Sequence, residues 1–267
     1  MNKHFGLAAL ALFATLAHAE DYLSPTEERV RLSLGVVRLS NQTDFQLDSS
    51  AGVVGTPVSA EDQFGLDKST YEAKIEAMVR AGERHRVRFD YFSLDRSGQT
   101  SVTSPILFRD VTLLPGDPLH SDLSIRTFGI TYGYSFLHGD KYEVAATLGI
   151  NDTDISARAR VQTATRHVDQ TEDQAGPVPT IGLDATYVIS KRFYVDGRAQ
   201  YLKVRVDDLD GSLGIYELDA LYRLRPNISF ALGYTMFRAN LTSRQTRQAG
   251  FFNFNSKGPE FVVRVAF

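Results

Sequence analysis

Apolar and polar residues alternate along most of this chain with a period of two, the spacing of a strand with two unlike faces, not the 3.6 of a helix. Residues 69–80 show it best: Tyr71, Ala73, Ile75, Ala77 and Val79 fall on one face, and Glu72, Lys74, Glu76, Met78 and Arg80 on the other. The same alternation predicts ten strands, at about 28–39, 69–80, 86–95, 123–136, 141–155, 178–189, 192–206, 213–224, 228–238 and 259–267. Each is about ten residues long, near what a tilted strand needs to cross a bilayer. No other stretch carries a convincing helical period except the first twenty or so residues.

The connections alternate too. Short turns are expected at 81–85, 137–140, 190–191 and 225–227, and long loops at 40–68, 96–122, 156–177 and 239–255, with one tight connection at 207–212. Short turns on one rim and long loops on the other is the pattern of an outer-membrane barrel, and an even strand count places both chain ends with the short turns, on the periplasmic side.

Alternation alone also describes a soluble barrel with an apolar interior. Two features decide for the membrane. The less apolar face is rich in small residues (Gly129, Thr131, Gly133; Ala145, Thr147, Gly149; Ala231, Gly233), which suit a crowded lumen better than a solvated exterior. The aromatics of the apolar face also sort into two girdles. Phe136, Tyr142, Tyr187, Phe193, Tyr222 and Phe267 fall near the short-turn rim, and Tyr71, Tyr91, Tyr201, Tyr216 and Tyr234 near the loop rim. The fold expected is therefore all-β: a transmembrane, antiparallel, up-and-down β-barrel of about ten strands.

Composition by itself hides this. The chain of 267 residues is 43% hydrophobic and 23% charged with a net charge of −3, figures that an ordinary soluble domain would also show. A mean hydropathy of −0.20 excludes a bundle of transmembrane helices, and a pI near 6.1 gives no basic footprint for nucleic acid. The absence of cysteine removes disulfides, thiol nucleophiles and cysteine-bound zinc.

The two ends add the compartment. Lys3, the apolar stretch from Phe5 to Leu16 and Ala17-His18-Ala19 read as a secretory signal peptide over residues 1–19, leaving one barrel domain over 20–267. The last strand sets Phe261, Val263, Val265 and Phe267 on its greasy face and ends in phenylalanine, which resembles the signal that the outer-membrane barrel-assembly machinery reads. The expected location is the outer membrane of a Gram-negative bacterium, with outer-membrane lipid and the assembly machinery as partners.

The polar faces predict a charged lumen: Glu72, Lys74, Glu76, Arg80, Arg88, Asp90, Glu143, Asp184, Asp196, Arg198, Glu217, Asp219, Arg223, Glu260 and Arg264. In so narrow a barrel these charges must be paired or hydrated, because isolated burial costs several kcal/mol per ion. A salt-bridge network that fills the lumen is the leading expectation, and a narrow pore for ions or small solutes the alternative. Catalysis is not expected. His85 and His138 fall in short turns and His120 and His167 in long loops, none beside a serine or carboxylate pair at the loop end of a strand. Asp152-Thr153-Asp154 and Glu172-Asp173 read as solvated loop charges. Asp208-Leu209-Asp210-Gly211 suggests a calcium loop, but Val206 stands where the first oxygen ligand belongs, and Asp-Gly is first a hairpin turn. No metal or cofactor is implied, and an outer-membrane hydrolase or lipid-modifying enzyme is the least favoured reading. Loop residues 97–119 mix apolar and turn residues and predict an extra hairpin, whereas 162–174 read as a solvated polar loop.

Several stretches taken together resemble a family of functionally uncharacterised proteobacterial outer-membrane β-barrel proteins, small and porin-like. They are Gly65-Leu66-Asp67, Gly82-Glu83-Arg84-His85-Arg86-Val87, Tyr91-Phe92-Ser93-Leu94-Asp95-Arg96-Ser97-Gly98, Tyr132-Gly133-Tyr134-Ser135-Phe136, Asp210-Gly211-Ser212-Leu213, Leu232-Gly233-Tyr234 and Gly258-Pro259-Glu260-Phe261. Residues 238–254 depart from the family's pattern. The resemblance implies an outer-membrane barrel with a structural or surface-interaction role and supplies no catalytic or ligand-binding residues.

Overall fold

The computed structural model describes residues 24–163, 167–245 and 249–267. The expected signal peptide lies outside them. Thirteen strands follow in order: β1 (Val30–Leu47), β2 (Val58–Ser59), β3 (Ser69–Ala81), β4 (His85–Ser101), β5 (Ile106–Phe108), β6 (Val111–Leu113), β7 (Pro118–Gly139), β8 (Tyr142–Gln162), β9 (His167–Val188), β10 (Phe193–Val206), β11 (Leu209–Arg225), β12 (Ile228–Ser243) and β13 (Gly250–Ala266). Ten of them, all but β2, β5 and β6, run antiparallel in sequence order, and β13 pairs back onto β1 from Arg31↔Ala266 to Leu47↔Gly250. The sheet is thus a closed up-and-down barrel of ten strands, the architecture that the alternation predicts. Closure leaves it no edge strand along its length.

Over the short-turn half of the barrel the exterior is apolar. Leu34, Leu148, Leu183 and Leu232 all stand more than half exposed there, with Leu232 at 70%. Such a continuous belt is unstable in water and matches hydrocarbon. Phe193 and Tyr222 face each other across β10 and β11 at 5.1 Å near the short turns.

Toward the loop rim the sides exchange character while the period of two continues. On β1, Val36 points outward, but Val37 and Leu39 point inward and are buried while Arg38 and Ser40 lie outside. On β4, Tyr91 is outside but Leu94 is buried inside, and on β7, Phe128 is outside while Leu123 and Ile125 are inside. Above the belt the barrel wall is therefore that of a water-soluble barrel, with an apolar interior and a polar exterior.

This inversion corrects the expected loops. Residues 40–47, 96–101, 118–122, 156–162, 167–177, 239–243 and 250–255 are strand, not loop, and the stretch 167–174 expected to be a solvated loop is part of β9. Antiparallel hydrogen bonding continued past the belt, but the apolar residues had moved to the opposite parity. The hairpin between β10 and β11 also turns at Asp207-Asp208, with Asp207 at φ 49°, and not at Asp210-Gly211. Asp tolerates the left-handed region, so glycine is not needed there. His85 is the first residue of β4 rather than a turn residue. The extra hairpin expected in 97–119 forms as β5 and β6.

Candidate functional site

Inside the belt, charged side chains from nearly every wall meet. Near the short turns Arg80 grips Glu143 with both terminal nitrogens, at 2.7 and 2.8 Å, and Ser135 donates its hydroxyl proton to the same carboxylate. Arg86 reaches Glu143 at 3.4 Å and Asp184 at 3.1 Å. Arg88 spans Asp184 and, at 3.0 Å, Asp90.

Arg198 on β10 stands at the centre. Its guanidinium lies 2.5 Å from Glu76, 3.0 Å from Glu217, 3.4 Å from Asp90 and 3.8 Å from Asp184. Lys74 sits between Glu217 at 2.8 Å and Glu260 at 2.9 Å. Arg264 pairs with Asp196, which Arg31 approaches at 3.7 Å. Arg31 also binds Glu28 at 2.9 Å, Arg223 reaches Glu28 at 3.4 Å, and the Arg223 guanidinium lies 5.5 Å above the Tyr194 ring. The void among these groups holds about 50 Å³, room for roughly one or two water molecules.

Of the charged residues expected in the lumen, thirteen lie in these ion pairs; Glu72 is half-buried nearer the loop rim and Asp219 is buried, and neither joins an ion pair among the described residues. The sequence reading missed Glu28, Arg31 and Arg86. Arg31 was visible on the polar face of the first strand, beside Ser33 and Gly35. Glu28 was not, because it stands at the start of the first expected strand on the apolar parity of Val30 and Leu32; in the structure it precedes β1 and enters the lumen from the short-turn end.

Above the charged layer lies an apolar one. Val37, Leu39, Leu94, Leu123, Ile125 and Phe254 from the walls meet Ala60 and Leu66, which belong to the connection between β1 and β3. That connection bends into the barrel and is held there by β4: Leu66 bridges to Gly98, whose lack of a side chain lets the Gly65 carbonyl come within 2.2 Å of where a Cβ would sit. The β5–β6 hairpin closes the mouth, packing Ile106, Phe108 and Leu113 against Val58, Phe64, Leu119 and Val161. Ser50 anchors the hairpin turn by donating its amide and hydroxyl to Asp110 at 2.7 and 2.9 Å, and these bonds hold the Asp110 carboxyl below its ordinary range.

Between this cap and the far wall is a chamber of about 300 Å³. Its surface is formed by Phe45, Phe64, Phe108, Leu123, Ile155, Ala157, Leu241, Phe251 and Phe252, together with the polar residues Thr43, Arg109, Ser121, Asp122, Arg158, Glu172, Gln174, Ser243 and Gln245. Arg109 pairs with Glu172 at 3.3 Å, and Arg158 donates to Asp169 at 2.7 Å, which keeps the Asp169 carboxyl low. The chamber was not expected from the sequence, because most of its walls fall in stretches expected to be loops. Phe108 was noted only as part of the extra hairpin, and Glu172, expected to be a solvated loop charge, is instead half-buried and paired with Arg109.

The residues weighed for catalysis or metal binding are scattered. Asp152 and Asp154 point outward from β8 into solvent, and His120 and His167 are exposed at the loop end of β7 and β9. His85 lies on the exterior at the short-turn end, where its Nδ1 is 2.6 Å from the Tyr132 hydroxyl. Asp210 pairs with Arg205 across the hairpin. Among the described residues no three metal-ligating side chains converge.

No family model and no curated protein matches this sequence. Solved structures do. The outer membrane protease OmpT of Escherichia coli aligns over 93% of this chain and 99% of its own, with a TM-score of 0.58 and 12% identity. The fold is that of an outer-membrane β-barrel. Ail of Yersinia pestis (9% identity, 88% of this chain and 99% of that one) and Neisserial surface protein A (15%, 89% and 97%) align far more loosely, at TM-scores of 0.36 and 0.32. At these identities the likeness is one of architecture, and the side chains of the lumen and the chamber have to speak for themselves.

Proposed function

We propose that this protein resides in a Gram-negative outer membrane as a barrel that does not conduct, and that it acts at its loop-side face as a binding or surface-interaction protein. The observation that carries this reading is the stack of two seals in one lumen. The ion-pair layer around Arg198 leaves a void of about 50 Å³, and the apolar layer of Leu94, Leu123 and Ile125 lies directly above it. An ion crossing the barrel has to displace paired charges and then pass a mainly apolar layer in which the buried Arg96 and Glu61 are already paired with each other, two costs that add. The surface left for function is the wall and cap beyond the belt, where Asp95, Asp122, Arg126 and Arg160 face outward. Placement in the membrane rests on the apolar belt and its girdles, with outer-membrane lipid as the surrounding partner and the strand ending at Phe267 as the element offered to the assembly machinery.

Single-channel recording in planar bilayers tests this. A silent membrane at ordinary salt is expected. Resolved conductance steps that change on Glu217→Gln or Arg198→Gln would overturn the reading in favour of a narrow channel.

A further inference from the structure

The chamber above the seals is built like a small-molecule site. Its volume, about 300 Å³, lies at the lower end of the range such sites occupy, and its walls are mostly hydrocarbon with polar side chains interspersed. Three phenylalanines from three different segments frame it: Phe45 meets Phe64 edge-on at 5.2 Å and Phe108 edge-on at 5.8 Å. Phe64 and Phe108 also touch at 5.6 Å, so the three rings form one aromatic wall of the chamber, a surface against which another ring packs well.

One polar group narrows the chemistry further. Ser121 points inward from β7 onto the chamber wall, is 2% exposed, and its hydroxyl has no hydrogen-bond partner among the described residues. A buried hydroxyl left unpaired costs free energy, so its retention points to a partner that arrives from outside. The charges near it make no such demand. Arg109 has Glu172 at 3.3 Å, while Arg158 and Asp122 stand on the outward parity of the wall and are paired there with Asp169 and, at 2.6 Å, with Arg160. A carboxylate or an ammonium entering the chamber would find each counter-charge already engaged.

We infer that the chamber binds an uncharged aromatic molecule carrying one hydrogen-bonding oxygen, with the ring against Phe45, Phe64 and Phe108 and the oxygen on Ser121. This deepens the reading of a barrel that binds at its outer face, and it gives that face a small-molecule ligand class.

Benzyl alcohol is a suitable probe, because it is soluble in water and has one ring and one hydroxyl. The full chain is reconstituted in lipid nanodiscs with labelled methyl groups and titrated. Saturable shifts are expected at Leu123, Ile155 and Leu241, which line the chamber, while Leu148, Leu183 and Leu232 on the lipid face drift without saturating. Ser121→Ala is expected to weaken binding about 3- to 10-fold, the size of one neutral hydrogen bond. Toluene should bind the unaltered protein that much more weakly and be indifferent to Ser121→Ala. Benzoate should not bind. Ala157→Phe, which fills the chamber, should abolish the saturable shifts while leaving the lipid-face methyl spectrum in place. Absence of saturable shifts in the unaltered protein overturns the inference, and so does equal affinity for benzyl alcohol with and without the Ser121 hydroxyl. Conductance with chamber binding intact would sink the closed-barrel reading alone, and a silent barrel without binding would sink the chamber alone.

Discussion

Arg96 on β4 and Glu61, in the connection between β1 and β3, form an ion pair from which water is excluded: the nitrogen and oxygen are 2.5 Å apart, and the side chains are 0% and 4% exposed. The remaining capacity of both groups is used as well. Arg96 donates to the Thr43 hydroxyl at 2.8 Å and to the Asp67 carbonyl at 2.9 Å, and Glu61 accepts the Thr43 amide at 2.9 Å. Two wall strands and an inward-folded segment are thereby joined at one point, the floor of the chamber's cap.

Removing one member of that pair strands the other without solvent. Arg96→Ala is expected to cost about 3–5 kcal/mol and to release the cap first, whereas Arg96→Met with Glu61→Leu recovers most of the loss. Amide hydrogen exchange over residues 58–68 reads this directly, with protection falling in the single variant and returning in the double.

The pair of Arg158 and Asp169 has similar geometry on the exposed side of the wall and should behave oppositely. Asp169→Asn is expected to leave the unfolding temperature unchanged at ordinary ionic strength, because solvent screens the pair. Its carboxyl is held below the usual 3.8 by the Arg158 hydrogen bond, so any contribution is complete above that value and lost only as pH falls further. A stability profile that drops at pH 5 to 6 on account of this pair would contradict the geometry.

The exchange of faces along a single strand makes a position-specific forecast. Leu148 and Ser156 are both on the outward parity of β8, eight residues apart. Leu148→Arg should destabilise the barrel in lipid by about 2–4 kcal/mol, and Ser156→Arg by close to nothing, since the first lies in hydrocarbon and the second in water. Urea titrations in vesicles, followed by the shift in gel mobility on unfolding, separate the two.

In the charged layer, Gly233 on β12 faces Asp219 on β11 so closely that a Cβ would lie 1.7 Å from the carboxylate oxygen and 2.9 Å from the Leu218 carbonyl. Gly233→Ala should therefore cost about 1–3 kcal/mol through forced displacement. Combining it with Asp219→Ala should return part of that loss in the same titration.

How far the sequence reveals this molecule depends on which solvent each residue meets. In residues 69–80, lipid outside and charge inside both enforced the alternation, so Tyr71 to Arg80 could be placed on their faces by inspection. Past Val36, Tyr91 and Phe128 the outer solvent changes to water, and the same backbone carries the opposite pattern, which reads as irregular when the first parity is assumed throughout. The Phe45, Ser121 and Ile155 walls of the chamber were lost for that reason. The polar faces did mark Glu76, Arg198 and Glu217 for the lumen, but not that Arg198 would be shared among four carboxylates, since those partners come from strands far apart in the chain. Glu28 shares the parity of Val30 and Leu32, which assigned it to the outside, and its place in the lumen could only be found once the barrel was closed.

Glu28 has a consequence for assembly. Its carboxylate joins Arg31 and Arg223, its carbonyl accepts from Arg80 at 3.1 Å, and the backbone beside it is fixed when the amides of Arg29 and Val30 bond to the Phe267 carbonyl at 2.6 and 2.9 Å. The first described segment and the last residue are therefore secured by one event, the zipping of β13 onto β1. Until then Glu28 stays apart from Arg223 on β11 and Lys74 on β3 from Glu260 on β13, and the gap between first and last strands stays open. Closure of the wall completes these pairs, so a barrel caught before it would be both unsealed and short of them, distinguishable by its leak from the completed one.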